Sequence, residues 1–337
     1  MMKHAFFKDK RILVTGHTGF VGSWMTLWLS RLGADMAGFS LAPPSKPSHY
    51  ELLDIEGKIT NIKGDIRNAK DIGDAIKGFG PEIIIHMAAR TILLESYEDP
   101  AVFYNTNATG TLNLLEAERK YGKARAILNV TTDKVYEAGN VAHKESDKLG
   151  GFDPYSSSKG CSELITQTYR DSFLSGIGIA TARSGNNIGG GEFGNYRLIP
   201  DLVSGKEIMV RHPKAIRPWT YVLDVIDGYF TIAQMLYKEP ASYSEAWNLA
   251  SEEVNTVSDL IKEFDKHVKV SYKLTKDRRH EDEFLLLDSS KARERLGWTA
   301  KTSFKDTIRL TAEWYAAHKN GSDMNKFSNK LIDIYEK

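Results

Sequence analysis

The stretch Arg11-Ile12-Leu13-Val14-Thr15-Gly16-His17-Thr18-Gly19-Phe20-Val21-Gly22 decides how this chain folds. Residues 11–15 are an apolar run ending at Gly16, and beyond it Val21, Met25, Trp28 and Leu32 recur at helical spacing before Gly33. The pattern reads as strand, tight turn, helix. Glycines at 16, 19 and 22 occupy the turn. There the backbone must bend sharply and approach a pyrophosphate closely, while the helix N-terminus offers free N–H groups and a partial positive charge. The spacing departs from GxGxxG but keeps strand before and helix after, so Gly16, Thr18, Gly19, Phe20, Val21 and Gly22 are the candidates for holding a dinucleotide.

Working outward, residues 35–39 form a second short apolar strand that runs into a proline-rich loop at 42–47. Further buried-strand candidates are 59–62, 83–87, 126–130 and 177–182, mostly separated by helical pattern. Strands apolar on both faces and alternating with helices predict an α/β fold, a doubly wound parallel (Rossmann) sheet with a smaller C-terminal substrate-binding domain. We expect residues 1–182 to form the NAD(P)-binding domain and 183–337 to be mainly substrate-binding, with segments near 217–250 returning to the first. The polar tail after Ala317 carries no reading of its own.

Composition removes several function classes. The 337 residues carry 45 Lys and Arg against 44 Asp and Glu, so no chain-wide field recruits nucleic acid or anionic lipid. Cys161 is the only cysteine, which excludes an internal disulfide or a cysteine-rich metal site and fits a reducing compartment. No metal is expected. No run approaches the roughly 20 apolar residues that span a bilayer, and the first ten residues lack the long apolar core of a signal peptide. The chain reads as cytoplasmic.

In a dinucleotide fold an acidic residue about 20 positions after the glycines holds the ribose 2′-hydroxyl. Here Ser40-Leu41-Ala42 stands in that place, so NAD is the expected cofactor with NADP left open. Asp65 follows the third strand, where it either contacts the adenine or closes a turn.

Tyr155 and Lys159 lie four apart behind Pro154, so a helix starting there puts them on one face. A phenol is a poor base, but an adjacent ammonium and a pyridinium favour its ionised form. Thr131-Thr132-Asp133-Lys134-Val135-Tyr136 directly follows the strand at 126–130, at a strand's carboxyl end, and supplies a hydroxyl, a carboxylate and an ammonium. A proton donor and acceptor beside a base are what water elimination requires.

Together TGHTGFVGSW (15–24), HMAAR (86–90), TNATGTLNLLEA (106–117), TTDKVY (131–136), DPYSSSKGCSEL (153–164), RSGNNIGGG (183–191), RLIPD (197–201), IRPWTYVLD (216–224) and LDSSKARERLGW (287–298) resemble the extended short-chain dehydrogenases that process nucleotide sugars. Within that group the chain is most similar to the CDP-glucose 4,6-dehydratases. The resemblance implies a redox-neutral cycle with tightly held NAD on a nucleotide-sugar substrate. Tyr155, with Lys159 and Thr132, takes the C4 hydroxyl proton; Asp133 is the acid for the departing C6 hydroxyl; Lys134 stands where related enzymes carry the C5 base. It further implies cofactor contacts from Asp65, Ile66, Ala88, Ala89, Arg90 and Asn107, and substrate contacts from Asn186, Arg197, Arg217 and His280. The family pairs helices like those around 106–119 and 155–173 across a homodimer. A 4,6-dehydratase acting on another nucleotide-linked hexose is the nearer alternative; a nucleotide-sugar epimerase shares the fold and the Tyr–Lys pair but normally lacks the acid after the catalytic threonine. A silent NAD-binding scaffold is the reading from another class.

Overall fold

In the computed structural model, residues 4–275 and 282–337 are described. Seven parallel strands make the central sheet: β1 (Arg11–Thr15), β2 (Asp35–Ser40), β3 (Thr60–Lys63), β4 (Ile83–His86), β5 (Ala126–Val130), β6 (Gly178–Ser184) and β7 (Ala246–Leu249). Their order across the sheet is β7-β6-β5-β4-β1-β2-β3. The central strands read as unbroken apolar runs because helices cover both faces; Ile83, Ile84 and Ile85 are all fully buried. The strand ending at 182 in the sequence reading extends to Ser184, since Arg183 and Ser184 are buried polar residues with partners.

Helices α1 (Phe20–Arg31), α2 (Ala69–Phe79), α3 (Gly110–Tyr121), α4 (Pro154–Ser172) and α5 (Val222–Lys238) are the crossovers. Two core clusters lie on opposite faces of the sheet, the larger around Trp24, Trp28, Phe230 and Trp247, the smaller around Ile72, Ile76 and Leu114. The helix expected over 106–119 arrives in two parts. Asn105–Thr109 is wound as a π-helix and α3 follows, and within the wide turn Asn107 is buried.

Outside the central sheet lie short strand pairs: Asn187–Ile188 with Thr220–Tyr221, Ile216–Arg217 with Asn255–Thr256, Glu207–Val210 with Ser271–Leu274, and Ala142–His143 with Leu286–Leu287. The tail beyond Ala317 is ordered. Helices α6 (Phe304–Lys319) and α7 (Met324–Tyr335) pack beside α1, where Trp28 Nε1 donates to Glu336 Oε1 at 2.9 Å and the Tyr335 hydroxyl to Asp224 at 2.9 Å.

Because every strand of the sheet is parallel, the carboxyl ends of β1, β4, β5 and β6 share one edge. The order reverses between β1 and β4, which opens the crevice where doubly wound sheets take their ligands.

Candidate active site

At the end of β1, Gly16 adopts φ +76°, and a Cβ there would stand 2.8 Å from the Ala88 nitrogen. A Cβ on Gly22 would strike the Gly16 carbonyl oxygen. Both positions therefore need glycine, which lets the turn, α1 and the β4 loop converge. No side chain caps α1, so the N–H groups of its first turn face the crevice without an intrahelical acceptor. The cradle fits a dinucleotide pyrophosphate. The Thr18 hydroxyl pairs with Ser40 Oγ at 2.8 Å and also donates to the Leu41 carbonyl, tying the turn to the end of β2. His17 is buried beneath the turn against Asn61, and burial lowers its pKa to about 4.

The loop after β4 is locked by two polar residues. Thr15 Oγ1 accepts from the Met87 and Ala88 nitrogens at 3.1 Å and lies 2.7 Å from His86 Nδ1. Asn107 clasps Arg90 through both backbone groups, at 2.8 and 3.0 Å, and donates to Ser158 Oγ on α4 at 2.9 Å. Asn107 thus fixes Ala88, Ala89 and Arg90 against the helix that carries Tyr155. Burial pushes the His86 pKa down to about 3, with the Lys159 charge adding to it, so this ring is neutral. Thr111 gives its own proton to the Asn107 carbonyl, and His86 Nε2 therefore donates to Thr111 Oγ1 at 3.2 Å. Asp65 is held by its own neighbour, with both carboxylate oxygens on Arg67, while Ile66 is buried under Gly110.

Asp153 caps α4 by accepting from the Ser156 nitrogen, Pro154 occupies the first turn, and Tyr155 and Lys159 follow one turn apart. Lys159 is buried and donates to the Val130 carbonyl at 2.7 Å, at the end of β5; burial lowers its pKa to about 8. The Tyr155 hydroxyl is pushed up to about 12 by burial, partly offset by its hydrogen bond with Thr132 and by the Arg197 charge. Thr132 Oγ1 donates onward to Asp133 Oδ1 at 2.9 Å. Thr132 thus links the acid to the neighbourhood of the phenol. Asp133 is buried, its Oδ2 has no hydrogen-bond partner among the described residues, and burial raises its pKa against the opposing pull of Lys134 and Arg217. A carboxyl held toward its neutral form beside a phenol suits proton donation.

Lys134 Nζ donates to Asp282 at 2.9 Å as an ion pair. Arg217 is buried beneath the same turn, its Nη1 donating to the Ile216 carbonyl at 2.8 Å. Arg197 reaches the β4 loop, donating to Thr91 Oγ1 at 2.6 Å. Asn186 is exposed at the end of β6, and His280 lies outside the described residues. Among the described residues no group of three or more His, Cys, Asp or Glu could hold a metal ion, and no helix is long and apolar enough to cross a membrane.

Sequence reasoning missed the polar layer behind the turn. Glu163, one turn beyond Lys159, accepts from the hydroxyl of Thr131, from that of Thr181 at 2.7 Å, and from Arg183 through two nitrogens at 2.9 Å. Arg183 also donates to the Tyr136 hydroxyl at 2.8 Å, and that hydroxyl donates to Asn248 at 2.7 Å. The one available signal was the spacing Tyr155, Lys159, Glu163, which puts all three on one helix face.

A family model described as GDP-mannose 4,6 dehydratase matches residues 13–311. The chain is 38% identical, over 99% of its length and 98% of the relative's, to the CDP-glucose 4,6-dehydratase of Salmonella typhimurium. It is 27% identical to the dTDP-glucose 4,6-dehydratase of Xanthomonas campestris, over 91% and 93%. Among solved structures, a dTDP-glucose 4,6-dehydratase of Streptomyces venezuelae, with NAD bound, superposes with a TM-score of 0.83 at 24% identity, covering 94% of this chain and 99% of the other. A UDP-glucose 4-epimerase of Thermotoga maritima gives a TM-score of 0.80 at 22% identity, over 92% and 99%. Those two likenesses bear on the fold, and the first two on descent. The chain belongs to the NAD-dependent epimerase/dehydratase family, in the branch that the GDP-mannose 4,6 dehydratase model describes.

Proposed function

We propose that this protein is a nucleotide-sugar 4,6-dehydratase that converts CDP-glucose to CDP-4-keto-6-deoxyglucose with NAD as its cofactor. The observation that carries the reading is the buried Asp133, bonded to the Thr132 hydroxyl at 2.9 Å and inclined by burial to keep its proton, beside Tyr155. An epimerase has no use for that acid, because it eliminates no water.

Bound NAD supplies the hydride acceptor for oxidation at C4 and the donor for reduction at C6. Gly16, Gly22 and the first turn of α1 hold its pyrophosphate, and the loop clasped by Asn107 flanks it. Tyr155 takes the C4 hydroxyl proton. The Lys159 ammonium, anchored on the Val130 carbonyl, favours the phenolate electrostatically. Once C4 is a ketone the C5 proton is acidic, and Asp133 donates its proton to the C6 oxygen as water leaves. Lys134, ion-paired with Asp282 at 2.9 Å, is the candidate residue for the C5 position. Arg217, Asn186 and Arg197 are the candidates for the sugar diphosphate, with the arginine fork suited to phosphate oxygens.

The protein acts as a homodimer in the cytoplasm on this reading. Leu164 on α4, Phe173 just past its end and Leu112 on α3 are exposed apolar residues at helices that the family pairs between subunits, and a single cysteine suits a reducing compartment. The test is incubation with CDP-, dTDP-, GDP- and UDP-hexoses under mass detection. CDP-glucose yields the 4-keto-6-deoxy product and Tyr155→Phe abolishes it, while Asp133→Asn forms the 4-keto hexose and stalls before water loss. Wild-type turnover by Tyr155→Phe, or no turnover of CDP-glucose by the native protein, overturns the reading.

A further inference from the structure

Thr132, Asp133 and Lys134 lie in a short 3-10 turn, Asp133–Val135, which has few internal hydrogen bonds to hold it rigid. What lies at its two ends differs from an ordinary surface loop. Thr131 and Tyr136 are both buried, and each hands its hydroxyl to one member of the same buried ion pair. Thr131 Oγ1 donates to Glu163 Oε1, and Arg183 Nη1 donates to the Tyr136 hydroxyl at 2.8 Å with its guanidinium over the Tyr136 ring at 4.9 Å.

Glu163 and Arg183 are joined by two contacts of 2.9 Å, in the fork geometry that fixes orientation as well as distance. Each has a rigid mounting. Glu163 projects from α4 in register with Tyr155 and Lys159, and Arg183 is part of β6, bonded through β5 to the rest of the sheet. The Tyr136 ring is further pinned by stacking on His143 at 4.7 Å and by its bond to Asn248 on β7. Backbone contacts from Thr131 to Ala182 and from Gly150 to Val135 add to the hold, but they set no side-chain orientation.

We infer that Glu163 and Arg183 are positioning residues that grip the catalytic turn by both ends, Glu163 through Thr131 and Arg183 through Tyr136, and so set where Asp133 meets the departing oxygen. Neither touches substrate on this account. Lys159 has its own anchor on the Val130 carbonyl and Tyr155 is carried by the same helix, so loosening the grip misplaces the acid of the second step more than the base of the first. This inference rests on the dehydratase reading for the chemistry of the turn, though not for the way the turn is held.

Replacing Glu163 or Arg183 leaves an unpaired buried charge and endangers the fold, so the test uses the two hydroxyls instead. Thr131→Val and Tyr136→Phe each remove one grip and keep the ion pair. With CDP-glucose, reactions are quenched by borodeuteride and resolved by mass into 4-keto hexose and 4-keto-6-deoxy sugar. Each variant loses roughly tenfold or more in product formation, a displacement effect of the kind that a shift of about 1 Å produces. KM stays within about twofold, the 4-keto hexose accumulates, and Thr131→Ser restores the native ratio. Unchanged product formation, or oxidation and water loss falling by one common factor, overturns the inference. If the native protein turns over no CDP-glucose, the functional reading fails by itself. Crystal structures of the two variants then decide the grip, which requires a displaced Asp133 carboxylate and is overturned by one in its native place.

Discussion

Lys159 shows how function is set against stability at a single residue. Its folded pKa, about 8, lies below the ordinary lysine value of 10.5 because burial disfavours the ammonium. The folded state therefore holds that proton less tightly than the unfolded chain. The destabilisation is complete below about pH 8 and fades as the pH rises toward 10.5, where the unfolded chain also releases the proton. At pH 7 it amounts to something on the order of 3 kcal/mol. Replacing Lys159 with Met removes that cost but strands the Val130 carbonyl, at roughly 2 kcal/mol. The ligand-free variant should unfold about 1 kcal/mol higher than the native protein at pH 7, with the advantage gone near pH 10, while turnover is lost. Denaturant titration across that range checks it, and a variant less stable at every pH contradicts the cost assigned to the charge. At this scale the sequence was legible where geometry is local. Glycines at 16, 19 and 22 are read from their spacing between strand and helix, and the pair Tyr155 and Lys159 from its spacing together with its place after the strands. Glu163 and Arg183 did not, because a charged residue in a string of letters looks the same whether solvated or buried; only the fold brings β6 behind α4.

Among elements, the strands were readable because a strand covered on both faces must be largely apolar, as β1, β4 and β5 are. The two-residue strands outside the sheet were not, since Ala142–His143 and Leu286–Leu287 pair between distant parts of the chain and carry no periodicity. Helix α7 escaped because its apolar residues are interspersed with lysine, asparagine and aspartate, yet Met324, Leu331, Ile332 and Tyr335 fall on one buried face behind the Asp323 cap. Helix α4 carries a prediction at this scale. Its inner face holds Tyr155, Lys159 and Glu163, while Leu164 is 54% exposed and Phe173, just past its end, 55% exposed. Exposed apolar side chains on and just past a helix that is otherwise well packed fit a subunit contact. Sedimentation should find a dimer, and Leu164→Glu with Phe173→Glu should give monomer; native protein that sediments only as monomer contradicts the contact.

The whole molecule is built on a parallel sheet whose carboxyl edge gathers chemistry from distant parts of the chain: the glycine turn after β1, the clasped loop after β4, the acid after β5, and Arg217 from the segments outside the sheet. The 38% identity to a CDP-glucose 4,6-dehydratase extends over 99% of the chain, so the crevice and the segments around it were inherited together. The site's proton groups have opposite tendencies, with Tyr155 and Asp133 inclined to keep their protons and Lys159 inclined to lose its own. Such a site serves a reaction that removes a proton at one carbon and delivers one to an oxygen two carbons away, with no net oxidation. Deuterium placed at C4 of CDP-glucose follows that path most directly. The account predicts that the 4-keto-6-deoxy product carries the label at C6. Product with unlabelled C6, or label returned to C4 of an unchanged or epimerised hexose, contradicts it.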